Sequence, residues 1–467
     1  MSADVRTSAA SDEAVAALLL QWAPAQRWFA HKGVAAHVER IERTPLDEGG
    51  VAQLVALTVR SGEGEDAPRT VYSVPISVRP APDEALAAAL VGELPDVDGA
   101  RAWVYDGPHD PTWTRALLTL VASEEGAGSR SFGVHGTSAD GGLPVPAGAR
   151  TKVLGGEQSN TSIVVAADEG ETPLIAKVFR VLSAGDNPDV VVQTALADAG
   201  CGRVPRPSGW VDGHWTDVSG ERVAGHFVHL TEFLAGSEDA WRVATAAVAQ
   251  GRDFSAEARE LGRATAEVHA VLAAELATEE ATPQRLAALA DGLLERVEWA
   301  TTAVPQLREV AGAARARVDA VRGVAHAPAL QRVHGDYHLG QVLHSASRGW
   351  VLLDFEGEPL RPLSERSLPD LALRDVAGML RSFDYAASTV PDPGDWGPRA
   401  REAFLDGYAE VVGTDPRQGE QAVLLAALEL DKALYEVVYE ARNRPDWLRI
   451  PLDAVHRLLQ SASADPS

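Results

Sequence analysis

The segment His334-Gly335-Asp336 is followed five residues later by Gln341, and 18 residues after Asp336 by Asp354, which lies in the short apolar run 351–355. These residue types at this spacing suit phosphoryl transfer, which asks little of a protein. One carboxylate must orient the attacking hydroxyl and accept its proton, and oxygen-rich ligands must hold the cation that neutralises the phosphates. Asp336 suits the first task, and Gln341 and Asp354 the second. Five residues are enough for a loop to turn from base to ligand. The apolar run is expected to be a strand that ends at Asp354 and leaves its carboxylate at a strand edge facing a cleft. His-Gly-Asp alone would read as an ordinary turn, so the compound spacing carries the signal.

Two further features lie upstream. Gly155-Gly156-Glu157-Gln158-Ser159-Asn160 separates two short runs of strand character. Glycines let backbone amides approach phosphate oxygens, and Ser159 or Asn160 could add a donor. Taken alone, the segment reads as a hairpin turn. About 20 residues on, Lys177 interrupts the apolar run 174–179; it could bridge the α- and β-phosphates of a nucleotide, or face solvent on an edge strand. The order glycine turn, strand lysine, His-Gly-Asp, strand aspartate is that of protein-kinase-like folds.

These parts need elements to position them. Alternation and β-branched residues predict strands at 51–59 and 70–78, and periodicity predicts a helix at 12–22. Strands are also expected at 161–166, 174–179, 204–210, 215–218 and 226–233, with a helix at 190–198. The Gly- and Ser-rich stretch 123–150 reads as loops. From 239 the pattern is helical, at 239–250, 254–275, 283–299, 304–321, 371–386, 399–413 and 418–443. Strands followed by helices predict an α+β fold with two lobes. The expected organisation is residues 1–100, then a β-rich region at 101–235 carrying the nucleotide-binding lobe, then a helical lobe at 236–467.

On the last of these helices, Tyr435 and Tyr439 lie at i, i+4, and so do Glu436 and Glu440, making one adjoining stripe. Aromatic faces and carboxylates suit a carbohydrate, although a solvated acidic stripe over core tyrosines has the same pattern. Arg444-Pro445 ends the helix, and Trp447 could wall the site. Glu356, Glu358, Asp384, Glu436 and Glu440 could together hold an ammonium group.

The chain has 467 residues, a formal net charge of −25, and 45% hydrophobic residues. The acidity excludes nucleic acid and anionic membrane as expected partners, because phosphates would be repelled. A single cysteine, Cys201, excludes an internal disulfide and a thiolate metal site, and fits a reducing cytoplasm. No apolar stretch is long enough to span a bilayer.

The sequence resembles the aminoglycoside phosphotransferase group of kinase-like folds, and more closely the actinobacterial maltokinases and maltokinase-like glucosamine kinases. The matching stretches are 155–162, 177–180, Asn187-Pro188-Asp189, 334–341, 354–359, 374–385 and 435–442, together with Gln26-Arg27-Trp28-Phe29 at the N-terminus. The resemblance spans nearly the whole chain. It implies an N-terminal α+β cap on a two-lobed protein-kinase-like fold, and ATP and Mg2+ as cofactors. It implies Asp336 as base, Gln341 and Asp354 as magnesium ligands, and Gly155, Gly156, Ser159, Asn160 and Lys177 as the ATP site. On the acceptor side it implies His338, Glu356, Arg381, Tyr435, Glu436, Tyr439, Glu440 and Trp447. The expected reaction is phosphorylation of a free small sugar, either maltose to maltose 1-phosphate or glucosamine to glucosamine 6-phosphate, by a monomer. An aminoglycoside or small-alcohol kinase is one alternative, and a non-catalytic nucleotide-binding regulator another. The latter is motivated by Val191, which stands where the family often has the glutamate that pairs with the strand lysine; Asp189 or Glu157 could substitute. Tyr337 also departs from the smaller or aliphatic residue expected there.

Overall fold

The computed structural model describes residues 11–95, 101–139, 142, 143, 145, 150–155, 159–166, 172–358 and 366–460. The described chain divides into two compact units, residues 1–190 with 206–235, and residues 191–205 with 236–467.

The first unit is β-rich. Its opening helix, Asp12–Trp22, is capped by Ser11, whose hydroxyl accepts from the Ala14 N–H, and it carries Asp12 and Glu13 in its first turn, where acids favour the helix dipole. Strands β1 (Ala36–Pro45), β2 (Ala52–Ser61), β3 (Arg69–Arg79), β4 (Leu90–Pro95) and β5 (Arg101–Asp106) form an antiparallel sheet of order β1-β2-β3-β5-β4. β2 is buried on both faces, so its apolar residues run nearly continuously rather than alternating.

A second sheet has the order β6-β7-β11-β12-β10-β9-β8. It comprises β6 (Gly126–Gly128), β7 (Gly133–Ser138), β8 (Thr151–Val153), β9 (Asn160–Val165), β10 (Leu174–Phe179), β11 (Pro207–Thr216) and β12 (Arg222–Glu232). Two of these strands lie inside the stretch expected to be loops. The glycines there serve close packing: a Cβ on Gly136 of β7 would collide with the backbone carbonyl of Leu120, on the helix Pro111–Ser123 that β7 packs against.

The two sheets meet at Arg180, just beyond β10. Its side chain is fully buried, bonds Asp106 at 3.0 Å and Thr161 at 2.9 Å, and lies 5.0 Å from the Trp28 ring. Its carbonyl accepts from the Ser73 N–H at 2.9 Å.

The second unit is helical. Its helices are Ala240–Ala249, Ser255–Glu275, Pro283–Ala303, Ala311–Asp319, Leu373–Ala387, Trp396–Val412, Gly419–Asn443 and Arg449–Gln460. The expected helix at 304–321 divides into a 3-10 turn, Pro305–Glu309, and the helix Ala311–Asp319, with Val310 at the junction, φ −103° and ψ 0°. A small sheet, β13 (Glu238–Asp239), β14 (Val342–Ser345) and β15 (Gly349–Leu352), sits among these helices. The expected strand at 351–355 therefore stops at Leu352, two residues before Asp354. No described helix is long and apolar enough to cross a membrane.

Candidate active site

In the helical unit the loop bearing Asp336 is fastened at both ends. The Asp375 carboxylate accepts the backbone N–H groups of His334 at 2.7 Å and Gly335 at 2.9 Å. It also bonds His269 Nε2 at 3.0 Å, and His269 Nδ1 meets the Tyr408 hydroxyl at 3.0 Å. Asp375 is buried, which raises its carboxyl, yet the His269 bond and the loop amides outweigh burial and leave it below the usual carboxylate range. Tyr337 is buried as well, with its hydroxyl 2.8 Å from that of Thr265. Its size suits an anchor beneath the loop.

His334 Nε2 donates to the Leu353 carbonyl at 2.7 Å, which ties the loop to the residue before Asp354 and leaves Nδ1 as acceptor of the Asp336 N–H at 3.4 Å. Gly335 has φ +82°, and a Cβ there would lie 3.1 Å from the Gly357 Cα, so the crossing of the two segments favours glycine.

Asp354 itself is left-handed, at φ +64°, one of two described non-glycine residues with positive φ. Aspartate tolerates this conformation better than most residues, and such backbone clusters at functional positions. Gln341 Nε2 donates to Asp354 Oδ2 at 2.9 Å, which leaves the Gln341 amide oxygen able to ligate a cation. The Glu356 and Asp354 carboxylates come within 4.8 Å of each other. Glu356 thus stands beside Asp354 and does not line the acceptor cavity. The donor set is all oxygen, the choice of a hard divalent cation such as Mg2+.

A cavity of about 600 Å³ opens onto Asp336. His338, Tyr435, Glu436, Tyr439, Glu440 and Trp447, six of the residues expected on the acceptor side, line it. Arg381 does not: it is fully buried behind the wall, bonding Glu436 at 2.8 Å and Asp384 at 2.5 Å. Asp384 is likewise turned to cations, Arg381, Arg401 and Arg457, and is not part of the lining. Burial raises the Glu436 carboxyl above its ordinary range against the pull of Arg381. Glu440 accepts from the Tyr385 hydroxyl at 3.1 Å and from Arg444 at 2.6 Å. Burial keeps His338 below its ordinary pKa, and its Nδ1 accepts the Gly340 N–H at 3.1 Å.

Lys432, not among the residues expected from the sequence, places its Nζ 3.0 Å from Asp336 Oδ1. Burial alone would raise the Asp336 carboxyl, but the Lys432 ammonium, together with the nearby His338 and His334, outweighs it and leaves the base below the usual carboxylate range. A signal was available: Lys432, Tyr435, Glu436, Tyr439 and Glu440 sit at i, i+3, i+4, i+7 and i+8, one face of one helix. Trp241 and Tyr385, from two other helices, also line the cavity, as does Arg444, four residues beyond Glu440 at the end of the stripe.

The remaining candidates lie in the β-rich unit. Lys177, on β10, pairs across the sheet with Ser162 and His229, and its ammonium is 3.1 Å from Asp189. Asp189 thus takes the place left by Val191. Its own N–H is capped by Asn187 Oδ1 at 2.8 Å, which fixes it at the start of the helix Pro188–Asp198. Asn160 begins β9, Ser159 precedes it, and Gly155 lies two residues after β8. Arg27 donates to the Gly155 carbonyl. Gly156 and Glu157 lie outside the described residues.

Residues 22–110 match the maltokinase N-terminal cap domain, and residues 150–429 match the phosphotransferase enzyme family. The chain belongs to that phosphotransferase family. It is 30% identical over 396 residues to a glucosamine kinase of Mycolicibacterium smegmatis, covering 80% of this chain and 94% of the relative. It is also 30% identical over 322 residues to a glucosamine kinase of Streptacidiphilus jiangxiensis, covering 63% of this chain and 70% of that one. Among solved structures, a glucosamine kinase in complex with glucosamine, ADP and inorganic phosphate superposes with a TM-score of 0.64 at 24% identity, covering 95% of this chain and 99% of the other. The fold of this family member is therefore kinase-like, with the β-rich part N-terminal and the helical part C-terminal.

Proposed function

We propose that the protein transfers the γ-phosphoryl group of ATP, presented as its magnesium complex, to a hydroxyl of a sugar, with glucosamine as acceptor and glucosamine 6-phosphate as product. The observation that carries this reading is the cavity of about 600 Å³ that opens onto Asp336 and is walled by Tyr435, Tyr439, Trp447, Glu436 and Glu440. The names of the relatives support glucosamine among sugars.

In this reading Asp336 accepts the proton of the attacking hydroxyl, and the low pKa imposed by Lys432 keeps it ionised and ready. Gln341 and Asp354 would hold a magnesium ion, which supplies charge neutralisation to the phosphates when bound. Lys177, set by Asp189, contacts the phosphates, with the segment of Gly155, Gly156, Ser159 and Asn160 beside it. Tyr435, Tyr439 and Trp447 pack against the sugar faces, Glu436 and Glu440 accept from its polar groups, and Arg381 holds Glu436 from behind. His338 is neutral and offers a hydrogen bond without adding charge.

A second acceptor, maltose giving maltose 1-phosphate, is favoured by one specific feature. Each carboxylate of the cavity lining already faces a cation: Asp336 has Lys432, Glu436 has Arg381, Glu440 has Arg444, and Glu358 has Arg296 at 3.9 Å. Such a wall suits hydroxyls better than an ammonium group. ATP consumption across a panel of glucosamine, maltose, other sugars and aminoglycosides tests the reading, with the phosphorylated position identified by NMR. Turnover of glucosamine at the 6-position is the expected result. Maltose 1-phosphate instead would select the second acceptor, and silence on every sugar with turnover of an aminoglycoside would overturn both.

A further inference from the structure

The chain carries 42 cationic side chains, of which only four are lysines, at 32, 152, 177 and 432. Lys32 and Lys152 are exposed. Lys177 and Lys432 are not, and each is bonded to an aspartate at 3.1 or 3.0 Å. A chain that otherwise uses arginine so consistently places a compact point charge beside the candidate base. The difference is chemical: an arginine fork engages both oxygens of a carboxylate, whereas an ammonium can engage one.

The position of Lys432 is fixed by its neighbour in sequence. Asp431 is clamped by Arg374 at 3.0 Å and by Arg296 at 3.3 Å, which locks this turn of the helix Gly419–Asn443. Lys432 then reaches the cavity, 5.4 Å from the Tyr435 ring centroid, with its ammonium on Asp336 Oδ1. The other lining acids of this region, Glu436 and Glu358, have their own arginines.

We propose that Lys432 is a positioning residue for phosphoryl transfer: it occupies Asp336 Oδ1 so that Oδ2 is the oxygen presented to the acceptor hydroxyl. The inference rests on the kinase reading above. In the step it serves, the acceptor oxygen forms a bond to the γ-phosphorus, the bond from that phosphorus to the ADP oxygen breaks, and the hydroxyl proton passes to Asp336 Oδ2. Lys432 stays protonated throughout. Once Asp336 is neutral, the lysine charge is left to face the new phosphate ester.

The test is a double-mutant cycle on the full-length protein with ATP and the sugar it turns over. Lys432→Met should lower kcat by roughly 10-fold or more, part of what a positioned general base contributes, with KM for ATP unchanged. In the Asp336→Asn background the same change should cost nothing further. Lys432→Arg keeps the buried charge, and with it the fold, and should also be slow because its fork spans both carboxylate oxygens. The ADP-induced thermal shift, equal in all variants, controls for folding. Wild-type kcat in Lys432→Met or Lys432→Arg, or full additivity of Lys432→Met with Asp336→Asn, overturns the proposal. If Asp336→Asn turns over like the wild type, it is the kinase reading of the site that fails.

Discussion

Asp336 and Asp375 show how single residues in this loop are set by their partners. Both are buried enough for desolvation to favour the protonated form, and in both a neighbouring cation or donor reverses the balance. For Asp375 this has a consequence for stability. Its folded pKa is depressed, so the stability it contributes is complete above the unfolded carboxylate pKa of about 3.9 and is lost as pH falls through the folded value. Asp375→Asn should therefore flatten the acid side of a stability-against-pH curve and loosen the Asp336 loop, lowering kcat. Chemical denaturation at a series of pH values checks this; an unchanged acid limb contradicts it. At Asp354 the prediction concerns metal. Asp354→Ala should abolish magnesium-dependent turnover, measured by titrating Mg2+ against ADP release, whereas normal magnesium dependence in that variant would remove Asp354 from the ligand set.

The helix Gly419–Asn443 is the element that builds the acceptor wall. Tyr435 and Tyr439 stack on each other with centroids 6.3 Å apart, and Trp299 stacks on Tyr435 at 6.4 Å. Tyr439→Ala should raise KM for the sugar about 3- to 10-fold, the range of roughly 0.5–1.5 kcal/mol that such aromatic contacts carry, and leave KM for ATP unchanged. Equal effects on both constants would mean that the stripe supports the fold and not the acceptor. This helix was legible because its period-3.6 stripe mixes aromatics and acids over several turns. β6 and β7 were not, because their glycines serve close backbone packing, and composition alone does not separate that use from a turn. Lys432 shares that stripe, but its role is not legible from residue type, because it comes from Asp336, 96 residues away. Asp354 was found by its spacing, but its left-handed backbone could not be read from residue types.

At the scale of the whole molecule, the N-terminal cap and the sheet that bears Lys177 are one folded unit. Arg180 is the joint, with Asp106, Thr161 and Trp28 around its fully buried side chain. Arg180→Ala leaves Asp106 without its cation and should cost about 3–5 kcal/mol of stability, read by denaturant unfolding; a loss below about 1 kcal/mol would show that the joint is not cooperative. The cap is thus part of the platform for the strand lysine. Everything proposed for the chain as a phosphotransferase converges on proton removal by one carboxylate. ADP release with and without sugar, in the wild type and in Asp336→Asn, measures that most directly. Sugar-stimulated release is expected from the wild type, with a loss of about 10²-fold or more in the variant; sugar-stimulated release at the wild-type rate in Asp336→Asn would exclude Asp336 as the base.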